Sequence, residues 1–197
     1  MEPFHTSQFE VGIDEAGRGP LLGPVFAGAV ILGDVDYDHP IAQMINDSKK
    51  LSKKKRELCY NWISENVLSY SFGFCTEREI DEMNILNATK HAMKRAINSL
   101  SQNFSLLVID GVRWENEFDY ETISVVKGDA TYFNIACASI IAKVAHDNYI
   151  SKLCELYPDL NEKYDLLSNM GYGTPRHKEG IARFGKSQFH RQTFNIK

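Results

Sequence analysis

The sequence lacks several features that would settle its class outright. No apolar stretch approaches the ~20 residues needed to span a bilayer, so no membrane-spanning helix is expected. The start, MEPFHTSQFEVGID, has no basic region followed by an apolar run, so no secretion signal is read there. The four cysteines are Cys59, Cys75, Cys137 and Cys154, widely spaced and none in a C-x-x-C pair. That argues against a zinc site or a disulfide framework, and for free buried thiols in a reducing compartment. The expected location is cytoplasmic. There is no excess of positive charge: 22 Lys and Arg stand against 26 Asp and Glu, a formal charge of −4. Total charge therefore does not announce a nucleic-acid binder. Such a role would rest on local basic patches and on metals that bridge acidic residues to phosphate. No repeat, low-complexity tract or G-x-x-x-x-G-K-[ST] loop is found.

What is present is globular. The 197 residues are 43% hydrophobic and 24% charged, which suits one domain, with a small appendage at most. Residues 9–14 read as a short strand, and 25–32 (VFAGAVIL) as a strand buried on both faces. The Gly/Pro-rich turn 17–24 makes these a hairpin with a long connection. Ser52 N-caps a helix running to about Asn66, 69–75 alternates like a third strand, and 85–100 is helical by pattern. Residues 105–110 (SLLVID) form a strand ending on a carboxylate, and 122–126 a fifth strand. A long helix rich in small residues covers 133–156, stopped by Pro158. Thr174 and Pro175 open a last helix to Phe184. The order predicts an α/β sandwich on a mixed five-stranded sheet with a helical tail.

Candidate chemistry lies at element ends. In GIDEAGRGP (12–20), Asp14 and Glu15 follow an apolar strand and precede glycines. Adjacent strand residues point to opposite faces, so the pair aims at one ion only if the strand ends there. A bare Asp–Glu pair is more often an ordinary strand end. Asp110 also closes an apolar strand, before Gly111. Asp129 in KGDA precedes the long helix, whose N-terminal dipole favours an anion. Either one alone is as well explained by a cap or turn. Together, carboxylates at one sheet edge suit two hard cations ~3.5–4 Å apart. The acids at 34, 36 and 38 fail as a calcium loop, because His39 stands where glycine is needed. Asp147 lies 18 residues after Asp129, some ~20 Å along the helix, and reads as an ion-pair partner. Lys49, Lys50, Lys53, Lys54, Lys55 and Arg56 oppose the dipole of the helix they open, which points to phosphate as much as to a solubilising surface. Tyr172, between two glycines ahead of a basic tail, suits stacking on a base or sugar, or a place in the core.

As an ordered set these segments resemble ribonuclease HII, the bacterial type 2 ribonuclease H, over nearly the whole chain. The matching pieces are GIDEAGRGPLLGPV (12–25), DSKKLSKKKRE (47–57), VIDG (108–111), KGDA (127–130), IACASIIAKVAHD (135–147), GYGTPRHKEGI (171–181) and HRQTF (190–194). The resemblance implies a ribonuclease H-like catalytic domain over 1–157 with a helical C-terminal extension over 158–197. It implies active-site carboxylates Asp14, Glu15, Asp110 and Asp129 with Mg²⁺ or Mn²⁺, two ions per site. Gly17, Arg18 and Gly19 would contact the backbone at an RNA–DNA junction, Tyr172 would stack on the sugar of the DNA side, and Ser48 and Lys49 would lie near phosphates. Expected partners are RNA–DNA hybrids and duplex DNA containing single ribonucleotides, cut on the 5′ side of the ribonucleotide, with the chain acting as a monomer. In the expected mechanism Asp14 bridges both ions, Glu15 and Asp110 each help hold one, and Asp129 completes a shell. Two departures from the family pattern are Cys137, in ACASI, and His146, where Arg commonly precedes the Asp. A ribonuclease HIII-like catalytic domain shares the acids, but that family usually carries an extra N-terminal domain. A binding module whose acids merely cap strands is the non-enzymatic alternative.

Overall fold

A computed structural model describes residues 1, 2, 4 and 10–196. Five strands form one sheet in the order β3-β2-β1-β4-β5. They are β1 (Glu10–Ala16), β2 (Val25–Ile31), β3 (Ser69–Cys75), β4 (Leu106–Asp110) and β5 (Glu121–Val125). The first three are antiparallel neighbours, whereas β4 runs parallel to β1 and β5 parallel to β4. The sheet is therefore mixed, as the element order predicts. Phe9, the expected first strand residue, lies outside the described residues.

The long elements are where the sequence puts them. They are α1 (Lys53–Asn66), α3 (Ile85–Asn98), α4 (Phe133–Leu156) and α7 (Pro175–Phe184). Ser52 and Thr174 accept N–H bonds from Lys55 and His177 as N-caps, and Pro175 fills the first turn. The short helices α5 (Pro158–Tyr164) and α6 (Leu166–Asn169) lie in the expected helical tail, whereas α2 (Glu77–Met83) is an addition. α2 is held by a reciprocal capping box between Thr76 and Glu79.

One sheet face packs α3, through Val11, Ile13, Ala27 and Ala29 against Ala88, Ala92, Met93 and Ala96. The other face packs α4, whose small residues let it come very close. A Cβ on Gly12 would fall on the backbone of Asn134, and one on Gly28 on the carbonyl of Ala138. α1 then closes over α4 through Cys59, Trp62 and Ile63. All four cysteines are free and buried, as expected, and Cys137 only fills space beneath α1. A separate cluster joins Leu21 and Leu22 of the 17–24 loop to Ile150, Leu153, Leu160, Leu166 and Ile181. The tail helices thus grip the loop that follows β1. Among the described residues no helix is long and apolar enough to cross a membrane.

Candidate metal and nucleic-acid site

The site begins where two parallel strands part. β1 and β4 pair up to Ile13 and Ile109, and the next residues are Asp14 and Asp110. Ligands gather at the carboxyl ends of strands where chain direction switches, and β1 is that switch here, antiparallel to β2 and parallel to β4. Asp129 arrives from the other side on a single 3-10 turn, Gly128–Ala130. Two expectations need correction. β1 does not end at the acid pair: Glu15 and Ala16 still pair with Ala27 and Phe26. Glu15 therefore points to the other face, but beyond Ile13 no β4 partner screens it from Asp110. Nor does Asp129 owe its place to a helix dipole, since α4 starts four residues later at Phe133 behind Tyr132.

The four acids feel one another. Burial raises the Asp14 pKa well above the ordinary carboxylate range, helped by the charges of Glu15 and Asp110 and opposed by the Ser139 hydroxyl. Burial also raises Glu15, against the pull of Arg18, and raises Asp129, with Asp110 and Asp47 adding to the effect. Desolvated like charges of this kind are what a divalent cation relieves, and an all-oxygen donor set is the choice of a hard one. The residues fit such an ion in chemistry. They are not drawn into a closed cage: among the described residues no three His, Cys, Asp or Glu groups form one. Local donors hold the oxygens instead. Asp14 Oδ1 accepts the Glu15 N–H at 2.7 Å, Asp110 Oδ1 accepts the Gly128 N–H at 2.7 Å, and Arg18 reaches Glu15 Oε1 at 3.2 Å.

Besides Arg18, Lys49 faces this cluster. Burial alone would depress the Lys49 pKa, but Asp14, Asp47, Asp129 and Asp110 outweigh it and hold the ammonium above its ordinary value. Ser48, its neighbour, turns inward. It is 3% exposed, and its hydroxyl lies 2.9 Å from that of Ser139, which in turn serves Asp14. Asp47 caps the turn by accepting the Lys49 N–H. Sequence reasoning overlooked Asp47 and Ser139, although both lie inside quoted motifs. Arg56 is spent on Ser48 O, Leu51 O and Asp147, whereas Lys53, Lys54 and Lys55 stay exposed. Asp147 is the expected ion-pair partner, bonded to Lys143 at 2.7 Å and Arg56 at 3.4 Å.

Gly17 has φ +85° and no room for a side chain, because His146 lies against it. Arg18 and Gly19 are exposed, and Gly19 lies beside the ring of Tyr172, itself 39% exposed. The Lys143 ammonium sits 5.6 Å from that ring's centroid. His146 is fully buried and bonded through Nδ1 to Asp147 at 3.0 Å, and desolvation pushes its pKa down. Its Nε2 has no hydrogen-bond partner among the described residues. The fold sets Lys49 against the carboxylates, Arg18 on Glu15 and Gly19 beside Tyr172, and it buries Gly17 and Ser48.

Comparison with known proteins points one way. The ribonuclease HII family profile matches residues 11–197. The chain is 43% identical over 187 residues to the ribonuclease HII of Bacteroides thetaiotaomicron, covering 95% of this chain and 90% of that one. It is 42% identical to that of Ruminiclostridium cellulolyticum, covering 93% and 68%. Among solved structures, the ribonuclease H2 of Pyrococcus horikoshii OT3 matches with TM-score 0.73 at 28% identity, covering 95% and 94%. The ribonuclease HII of Archaeoglobus fulgidus, solved in complex with PCNA, matches with TM-score 0.76 at 26% identity, covering 96% of each chain.

Proposed function

The chain belongs to the ribonuclease HII family, and from that premise we propose that it nicks duplex DNA on the 5′ side of an embedded ribonucleotide, leaving 5′-phosphate and 3′-hydroxyl ends. Membership makes it a nuclease, a hydrolase that acts on the RNA of RNA–DNA hybrids. The finer reading is removal of ribonucleotides from DNA by a monomer using two Mg²⁺ or Mn²⁺ ions. In it, residues 1–157 form the catalytic unit, and 158–197 an extension that carries Tyr172.

Asp14, Glu15, Asp110 and Asp129 would hold the ions. Bound divalent cations supply Lewis acidity and offset the charge gathered on phosphate during hydrolysis. The chain's own groups do the rest. By holding those ions at the sheet edge, Asp14 and Asp110 would set where the reacting phosphate lies. Lys49 brings a permanent positive charge to a neighbouring phosphate. Gly17, Arg18 and Gly19 would meet the nucleic-acid backbone through the exposed Arg18 and Gly19, and Tyr172 would offer a face to the adjoining deoxyribose. The 2′-hydroxyl is the group that tells RNA from DNA. Ser48 serves by anchoring the Lys49 turn on Ser139.

The observation that carries this reading is the parallel pairing of β1 and β4 that stops at Ile13 and Ile109, just before Asp14 and Asp110, with the charges of Asp129 and Lys49 felt at the same place. Asp14→Asn and Asp110→Asn are expected to abolish cleavage while the protein still melts cooperatively. Near-normal turnover by either variant would remove it from the site. A pure binding module would hold hybrid duplex equally in EDTA and never cut it.

A further inference from the structure

The tail beyond α7 lies across the loop after β1, and one side chain does most of the joining. Arg191 is 0% exposed, yet its bonded partners are backbone carbonyls. Its Nε donates to Gly23 O at 2.9 Å and Nη1 to Arg18 O at 2.9 Å. Nη2 donates to Gly17 O at 2.6 Å and Pro24 O at 3.2 Å. Its backbone N–H adds a bond to Leu21 O, and Phe189 O accepts from Gly23 N–H, both at 2.9 Å. The Phe194 ring backs the guanidinium, 4.9 Å from its centroid. Burying an arginine is costly, and desolvation pulls this one down to about 10. The cost is met by fixing both ends of a loop rich in glycine.

The same tail holds the turn of Tyr172. Ser187 N–H can only donate, so it needs a bare Nδ1 on His190, 2.9 Å away. Tyr172 O can only accept, so His177 Nδ1 carries the proton of that 2.9 Å bond. The 3.0 Å contact between the two Nε2 atoms then runs from His190 to His177. Two neutral rings thus form a directed chain from the tail to Tyr172. A further bond, Leu21 N–H to Gly171 O at 2.8 Å, ties the loop to the turn.

We infer that Arg191 is a positioning residue for substrate selection: it clamps the loop of Gly17, Arg18 and Gly19 against Tyr172, so the tail sets junction reading while the carboxylates set the chemistry. The inference rests on the function proposed above. It is tested with Arg191→Met and Arg191→Lys of the full chain, assayed on a duplex with one ribonucleotide and on a continuous hybrid. Amide hydrogen exchange is followed alongside. The inference expects KM for the single-ribonucleotide duplex to rise ~10-fold or more in Arg191→Met, with kcat within ~3-fold and the preference between substrates reduced accordingly. Arg191→Lys, which keeps the charge but not the fork, should fall between. Exchange should quicken over 17–24 and 171–174 and stay slow in β1 and β4. Wild-type KM and preference in both variants would overturn it, as would exchange that rises equally everywhere. Should Arg191→Met not fold, Arg191→Lys decides alone. Should the wild type cut neither duplex, the proposed function fails, and localised exchange still reports on the clamp.

Discussion

At Asp14, charge and burial work against each other. The carboxylate is 5% exposed and shares its surroundings with two other anions. A carboxyl whose folded pKa is raised weakens the fold wherever it is ionised. Asp14→Asn should therefore lose cleavage and gain thermal stability together, which a melting curve at pH 7.5 reads directly. A lower melting temperature would mean that the charge is stabilised by something the structure does not show. His190 gives the opposite case. Burial first, then His177 and Lys186, lowers its pKa from 6.5 to about 4. The unfolded chain then binds the proton more readily, so the stability due to neutral His190 is complete above pH 6.5 and is lost as the pH falls towards 4. That difference sets an upper bound on the order of 3 kcal/mol. His190→Gln should flatten the melting temperature between pH 7.5 and 5 relative to wild type, and parallel pH slopes would rule this out. Asp110 and Asp129 stood out as candidates because each lies beside a glycine, Asp110 at the end of β4 and Asp129 on the turn ahead of α4. Ser139 did not, because a serine inside an apolar helix signals nothing until the strand beneath it is known.

At the scale of elements, length and periodicity decided what could be read. The strands and the helices of ten residues or more stand close to their expected places. α2 was missed although its capping box is written in Thr76 and Glu79, because seven residues offer too few turns for a periodic signal. It is cut from α3 at Asn84, where φ is 69°. The close packing of α4 on β2 hangs on Gly28, where an added Cβ would fall on the Ala138 carbonyl. Gly28→Ala should destabilise by roughly 1–3 kcal/mol or more through forced separation of helix and sheet, with the melting temperature falling by about 2–4 °C for each kcal/mol. An unchanged melting temperature would mean that α4 gives way freely. The basic run split into two uses. Arg56 ties α1 to Asp147, while Lys53, Lys54 and Lys55 remain exposed. Changing those three to Gln should lower the slope of log affinity against log salt by up to ~3, about 0.9 for each phosphate no longer neutralised. An unaltered slope would leave them a solubilising surface.

Across the whole molecule, a net charge of −4 coexists with a reading as a nucleic-acid enzyme because the acids and the cations are sorted in space. Carboxylates gather at the parting of β1 and β4, and Lys49 stands over them. Motif order along the chain made the family legible. What it hid was contact between distant segments. The bond from Arg191 to Gly17 spans 174 residues, and those of the paired histidines meet a turn that sequence alone shows only as Gly-Tyr-Gly. Spacing rules act within an element, so they could not place the tail on the first loop. The most direct measurement of the central claim is to incubate the protein with an end-labelled duplex containing one ribonucleotide, with Mg²⁺ or Mn²⁺, and to map the nick. The account predicts a single cut on the 5′ side of the ribonucleotide, absent in EDTA and absent with Asp14→Asn. A cut on the 3′ side, or none, would contradict it.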